Sequence, residues 1–289
     1  MNTTGLALYS KTARESSAHV IGAYSTSFGL ATALLQEPVR SHIRKIYALV
    51  RVADEVVDGP AAEAGATPAE CRAMLDELEA DTERALRTGF SANLVVHAFA
   101  ESARALDIGT ALTKPFFASM RADLEPVDFT EAELDTYVYG SAEVIGLMCL
   151  QAFLQHRSPT AMQRDTLERG ARALGSAFQR VNFLRDLGED ADGRGRRYFP
   201  GLDPTNPDPA AVTEILDGID RELAIAERAL RGLPKGVQRA VRAALALYRE
   251  LSAQLRAMPV HEIARHRASV PSMKKARIVG RVLITGRRA

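Results

Sequence analysis

The sequence predicts an all-α protein. Three observations carry that reading. Ala, Leu, Arg and Glu, all strong helix formers, are abundant throughout the 289 residues. Apolar residues recur at helical spacing almost everywhere, and period-two alternation bounded by turns is nearly absent. Breaker clusters cut the pattern into segments of ordinary helix length.

The segments follow in order. Gly59-Pro60 closes one helix, and Ala61 to Pro68 is expected as a loop of small residues. Thr67 or Pro68 opens the next helix, which runs to about Thr88. A turn near Asp107-Ile108-Gly109 ends another. Pro126 to Thr130 is a loop, and Thr130 with Glu133 is a capping-box pattern for the helix that follows. Arg157 to Thr160 is a further break, and Gly193 to Gly195 ends the next long helix. Pro200 to Pro209 is the least helical stretch. Helical periodicity resumes on both sides of it without a compositional shift, so a single domain over 1–289 is expected. No internal repeat at a fixed period is visible.

Composition excludes several classes. With 37 basic and 36 acidic residues, the chain lacks the basic excess of a nucleic-acid binder. Two cysteines, Cys71 and Cys149, cannot build a disulfide framework, and buried small hydrophobes in a reducing, cytoplasmic setting are expected. Met1 to Ser17 has no basic segment followed by an apolar run, so no signal peptide is expected. Apolar stretches such as Val144 to Leu150 fall far short of the roughly 20 residues of a membrane span. His19, His42, His97, His261 and His266 show no metal-ligand spacing. Arg265 to Arg288 carries eight Arg or Lys and no acid, which suits peripheral contact with anionic lipid as well as a solvated tail.

Two stripes point to chemistry. In Tyr47 to Asp58, the residues Tyr47, Arg51, Asp54 and Asp58 fall within a sector of roughly 60° at 100° per residue. Ala, Val and Leu cover most of the remaining surface. That inverts a normal surface helix and implies a buried helix whose polar stripe faces a cavity. Asp54 and Asp58, four apart, would repel in low dielectric unless a cation joined them. All-oxygen ligands favour a hard ion, Mg²⁺ first, completed by water and substrate phosphate. The second stripe, Gln179, Asn182, Asp186 and Asp190, spans roughly 80°. Arg185 sits at its edge, where it could grip a phosphate bidentately.

These residues resemble the squalene/phytoene synthases, which join two prenyl diphosphates head to head, and the resemblance covers nearly the whole chain. Tyr24 to Phe28 is similar to the family's Ser-x-Ser-Phe segment, and Tyr47 to Asp58 to its first aspartate-rich motif. Tyr137 to Leu147 resembles its Tyr-containing helix, with Tyr139 at the tyrosine. Gln179 to Asp190 followed by Arg196 to Pro200 resembles the second motif and its tail, the most specific match. Tyr248 to Glu250 and Arg267 to Arg277 follow the C-terminal pattern. One departure is visible. Glu143 stands where the family usually has a glycine, which bears on the local helix kink and on the width of the channel.

The resemblance implies an isoprenoid-synthase helical bundle around a central cavity. It implies Mg²⁺, with Mn²⁺ as the alternative, on Asp54, Asp58, Asn182, Asp186 and Asp190. It assigns Ser25, Ser27, Phe28, Tyr47, Arg51, Gln179, Arg185 and Tyr248 to the diphosphate sites, with Arg196 closing over them and Tyr139 near the cation or relaying a proton. Phe28, Leu147, Met148 and Phe183 are candidates for the dry wall, each with core packing as the plainer role. The expected reaction is condensation of two geranylgeranyl diphosphates to phytoene through a cyclopropylcarbinyl diphosphate. The alternative is squalene or dehydrosqualene from farnesyl diphosphate, with NADPH needed only for squalene. A class I terpene cyclase and a non-catalytic helical scaffold are the more distant rivals.

Overall fold

Local capping chemistry sets many of the helix boundaries. A computed structural model describes residues 4–25 and 27–285, without the side chains of 192–194 and 285. Thr26 of the Ser-x-Ser-Phe segment and Arg287 and Arg288 of the basic stretch lie outside the described residues. The elements run α1 (Gly5–Tyr24), α2 (Ser27–Ala33), α3 (Val39–Val57), α4 (Pro60–Glu63), α5 (Pro68–Thr88), α6 (Leu94–Ala105) and α7 (Thr110–Ala122). Then come β1 (Val127–Asp128), α8 (Glu131–Val138), a π-helical turn (Tyr139–Glu143), α9 (Val144–Leu154), α10 (Ala161–Arg185) and α11 (Leu187–Arg194). The chain finishes with β2 (Arg196–Arg197), α12 (Pro209–Leu230), α13 (Lys235–Ala257), α14 (Val260–Ile263) and α15 (Ser272–Thr285). The all-α expectation holds.

Thr130 with Glu133 forms the reciprocal capping box that the sequence predicts, and Thr67 with Glu70 and Thr160 with Gln163 form two more. Each satisfies two donors that a helix start leaves open, for about 1 kcal/mol of stability. Gly195, in the left-handed region at φ 65°, closes α11.

Several boundaries differ from the sequence prediction. Ala61 to Glu63, the first part of the expected loop, joins Pro60 in one short helix. Within the Pro126–Thr130 loop, Val127 and Asp128 pair in parallel with Arg196 and Arg197. This two-residue ladder fastens the segment after the second motif to the end of α7. The expected single helix through Gln179–Asp190 breaks at Asp186 (φ −102°, ψ 13°), which ends α10 and begins α11. Just past the break, α11 meets the end of α14 so closely that a Cβ on Gly188 would strike the Ala264 carbonyl oxygen.

The interior has two principal apolar clusters. One gathers α3, α5, α6, α7 and α9 around Phe99, Phe116 and Phe117. The other gathers α8, α10, α12 and the Tyr198-Phe199 tail around Leu184, Ile219 and Leu223. Glu131–Leu154, continuous through the π-turn, is long and apolar enough by composition to cross a membrane, contrary to the sequence expectation. Here 56% of its most apolar window is buried inside the protein, so its length serves the core. Gly140 and Gly146 let this rod touch backbone: a Cβ at either would strike the carbonyl of Pro115 or of Ala171.

Because α11 depends on the close approach at Gly188, Gly188→Ala should destabilise the protein by roughly 1–3 kcal/mol. Urea denaturation measures this, and an unchanged midpoint would contradict the packing described.

Candidate active site

Helices α3 and α10 line one cavity of about 350 Å³, together with α2, the π-turn, α9, α12 and α13. Along α3 the lining changes from Ile43 and Ile46 through Tyr47 and Val50 to Arg51 and Asp54. At 1.5 Å per residue that is about 16 Å from apolar wall to carboxylate. Along α10 it changes from Leu167 through Ala171, Leu174 and Phe178 to Gln179 and Asn182, about 22 Å on the same rise. Both helices therefore turn their C-terminal polar residues to one end and leave the rest of the cavity apolar.

The donors at the polar end are held by ring contacts. Tyr248 stacks on Phe178 at 3.6 Å between centroids, and Tyr47 stacks on Phe28 at 5.5 Å. Burial pushes both tyrosine hydroxyls above their ordinary range, so they remain protonated donors. Ser25 accepts the Phe28 N–H at 3.2 Å, fixing the start of α2. The Arg51 guanidinium lies over the Tyr24 ring at 4.6 Å and pairs with Glu55 and with Asp54, the latter at 4.0 Å.

The acidic groups divide into two sets. The Asp54 carboxyl is pushed up to about 8, first by burial and second by the Asp58 charge, against the pull of Arg51. Its side chain keeps 28% of its surface, so water and a cation can reach it. Asp58 caps the C-terminus of α3, and Arg196 donates to its Oδ1 at 2.9 Å. On the other side, Arg185 donates to Asp186 at 2.8 Å, and Arg267 approaches Asp186 Oδ1 at 2.9 Å. Asp190 lies on α11 and is 7% exposed.

These residues fit a hard divalent ion. Asp54 resists ionisation because burial and the Asp58 charge outweigh the pull of Arg51, and the buried Oδ1 of Asn182 has no hydrogen-bond partner among the described residues. A cation would relieve both costs. Among the described residues no three acidic, imidazole or thiol ligands converge. Such an ion would need oxygens from elsewhere, as Mg²⁺ does when it bridges carboxylates and phosphates.

A sequence profile described as Squalene/phytoene synthase matches residues 21–274. The chain belongs to that family. Among its relatives, the 15-cis-phytoene synthase of a Paracoccus species is 30% identical over 80% of this chain and 78% of that protein. Phytoene synthase 3, chloroplastic, of Zea mays is 31% identical over 87% of this chain and 61% of its own length. The chain thus spans about three fifths of the maize protein. A crystal structure of a dehydrosqualene synthase superposes with a TM-score of 0.72 at 19% identity, covering 95% of this chain and 96% of that one. At that identity the likeness establishes the shared fold.

Ser25, Phe28, Tyr47, Arg51, Asp54, Gln179, Asn182 and Tyr248 all line the cavity, whereas Asp58, Asp186 and Asp190 are not among its lining residues. Ser27 is half-buried on α2 outside the lining, and Arg185 is occupied by Asp186. Arg196, expected to close over substrate, has a side chain only 4% exposed. Tyr139 begins the π-turn with its ring under the Arg172 guanidinium at 5.2 Å, and it is not among the lining residues. Of the four wall candidates only Phe28 lines the cavity. Met148 packs in the first cluster, Leu147 is half-buried outside the lining, and Phe183 stacks on Tyr198 at 3.8 Å in the second. Glu143 points away from the cavity, where it accepts Arg172 at 2.6 Å. A Cβ on Gly175 would strike the Ala142 carbonyl, so close packing of α10 shapes this turn. Cys149 lines the cavity, and burial pushes its thiol up to about 12, far from a reactive thiolate.

Sequence reasoning missed Asp123, Tyr137, Tyr198 and Arg267. Asp123 is 8% exposed, and burial pushes its carboxyl up to about 6 despite Arg196 and two tyrosine donors. Arg267 stood within the basic stretch, with nothing local to mark it for Asp186.

For Asp54 and Asp123 the folded carboxyl holds a proton that the unfolded chain loses near pH 4. Stability should therefore fall as pH rises toward about 6 for Asp123 and about 8 for Asp54. The metal-free thermal midpoint is expected to drop between pH 5 and about 8.5, and Asp54→Asn should flatten the upper part of that drop. Mg²⁺ should raise the midpoint more at the alkaline end. A pH-independent Mg²⁺ effect would contradict the assignment.

Proposed function

We propose that the protein joins two geranylgeranyl diphosphates head to head to give phytoene, by way of a cyclopropylcarbinyl diphosphate. The polarity gradient of the cavity carries the reading: diphosphate donors and the Asp54 carboxyl at one end, with about 10 Å of mostly apolar wall behind them on α3 and about 16 Å on α10. Relatives named phytoene synthases at 30% and 31% identity favour phytoene over a product from farnesyl diphosphate.

Arg51, Tyr47, Tyr248 and Gln179 bind diphosphate oxygens and stabilise the charge that develops as the allylic C–O bond breaks. Mg²⁺, when bound by Asp54, Asp58, Asn182, Asp186 and Asp190, supplies the Lewis acidity that offsets the leaving diphosphate's charge, and Mn²⁺ is the substitute. Phe28, Ile145, Leu174 and Phe178 exclude water that would quench the allylic cation. The double bond of the second substrate attacks that cation, and loss of a proton from carbon closes the cyclopropane. A second ionisation and rearrangement follow, and a final proton loss yields phytoene without a reductant.

The protein is read as cytoplasmic and peripheral to the membrane. Support comes from α15, which packs on α2 and α13 and bears Lys274, Lys275, Arg277 and Arg281 beside exposed Met273 and Ile284. Its basic residues and exposed apolar ends suit an anionic lipid surface.

Incubated with Mg²⁺ and geranylgeranyl diphosphate, the protein should release a C40 hydrocarbon whose mass is that of phytoene, with no requirement for NADPH. C30 products alone, or squalene on adding NADPH, would replace this reading with the farnesyl alternative. Asp54→Ala and Asp186→Ala should each abolish diphosphate release while the helical circular dichroism persists. Full activity in both would end the catalytic assignment. Vesicles containing anionic lipid should sediment the protein and neutral vesicles should not, with the difference lost in the Arg277→Glu/Arg281→Glu variant.

A further inference from the structure

Four stretches far apart in sequence meet at one buried carboxylate. Asp123 follows the last residue of α7 and is 8% exposed. Its Oδ2 accepts the Tyr137 hydroxyl at 2.6 Å, and its Oδ1 accepts the Tyr198 hydroxyl at 2.9 Å. Its backbone carbonyl accepts Arg196 Nη2 at 2.8 Å, and Arg196 Nε stands 3.9 Å from its Oδ1. The same guanidinium donates to the Val57 carbonyl at 2.8 Å and to Asp58 Oδ1 at 2.9 Å. Tyr198 is itself pinned by stacking on Phe183, and Arg196 by its ladder with Val127.

Asp58 needs such support. It caps the C-terminal end of α3, one turn from Asp54, where each carboxylate disfavours the charge of the other. Arg196 alone would hold it but would also neutralise it. With Asp123 present, the three side chains sum to one net negative charge. Arg196 therefore orients Asp58 while the cluster keeps its attraction for a cation. Asp123 has no comparable access to a ligand, because its carboxylate oxygens are engaged by the two tyrosines.

We propose that Asp123 is a positioning residue for the metal-binding carboxylate of Asp58, acting through Arg196. The proposal rests on the reading of Asp58 as a ligand of the diphosphate-bound metal. It assigns Arg196 to the protein framework rather than to a closing lid.

The test titrates Mn²⁺ into the full chain with inorganic diphosphate present and follows free Mn²⁺ by electron paramagnetic resonance. Asp123→Asn keeps the shape and removes the charge. It should weaken Mn²⁺ binding about tenfold and raise the half-saturating Mg²⁺ concentration for turnover by a similar factor, with kcat at saturating Mg²⁺ within about threefold of the original. Asp58→Asn should weaken Mn²⁺ binding at least as much, and the double variant should lose nothing further, because Asp123 acts only through Asp58. Unchanged Mn²⁺ affinity in Asp123→Asn with a weakened Asp58→Asn overturns the proposal. So does additive loss in the double variant. Unchanged affinity in Asp58→Asn instead overturns the reading of Asp58 itself. Where Asp123→Asn does not fold, Tyr198→Phe decides: it keeps the ring and removes one donor, so about threefold weaker binding supports the proposal and unchanged affinity overturns it.

Discussion

Two carboxylates one helical turn apart at the end of a largely apolar helix repel each other, and this repulsion organises the site. Asp54 answers it by resisting ionisation. Asp58 answers it through Arg196. Neither answer is local, because α3 offers only Arg51, which is shared with Glu55 and Tyr24. The counter-charge arrives from residue 196, and that explains why the segment after the second motif is tied down by a ladder, a stacked tyrosine and a buried aspartate. The second pair is treated likewise. Arg185 and Arg267 bracket Asp186, the latter delivered by the chain after α14. One aspartate of each pair is thus matched to an arginine.

The cavity follows from packing that leaves space on one side. Gly140, Gly146 and Gly175 allow backbone to meet backbone around the π-turn. The π-turn shifts the register of the rod so that Ser141 and Ala142 line the cavity while Glu143 reaches Arg172 outside it. The acid at position 143, where a glycine is usual in the family, is therefore compatible with an open channel: its carboxylate has a partner and does not enter the apolar space. Helices α2 and α13, which line the cavity, pack in turn against the basic helix α15.

What was legible in the sequence is what repeats along one helix. Caps at Thr67 and Thr130, the breaks at Gly59 and Gly195, and the stripes of Tyr47/Arg51/Asp54 and Gln179/Asn182 are patterns within ten residues, and they survive folding. The angular count assumes one straight helix, and it applies only as far as Asp186, beyond which Asp190 lies on α11. The break lies beside the close approach of Gly188 to Ala264, some 75 residues downstream, a contact that no local residue announces. Phe183 takes the plainer of its two expected roles, core packing, through a contact that the local pattern does not reveal. Its partner, Tyr198, lies on a segment whose position depends on a two-residue ladder too short to show any alternation.

Asp123 marks the limit of such reading most clearly. In sequence it is an ordinary acidic residue in Arg-Ala-Asp-Leu, indistinguishable from a solvated helix end. In the fold it is sealed, accepts two phenolic hydroxyls and faces an arginine shared with a candidate metal ligand. A buried carboxylate in this state is costly unless every partner is present, so Asp123, Tyr137, Tyr198 and Arg196 form a set in which removing one member leaves the others unsatisfied. The Arg-x-Tyr tail, the tyrosine of α8 and the first aspartate motif are therefore one electrostatic unit. The specificity of that tail as a sequence signature then has a physical basis: Arg196 and Tyr198 sit two apart so that the guanidinium and the phenol reach the same carboxylate.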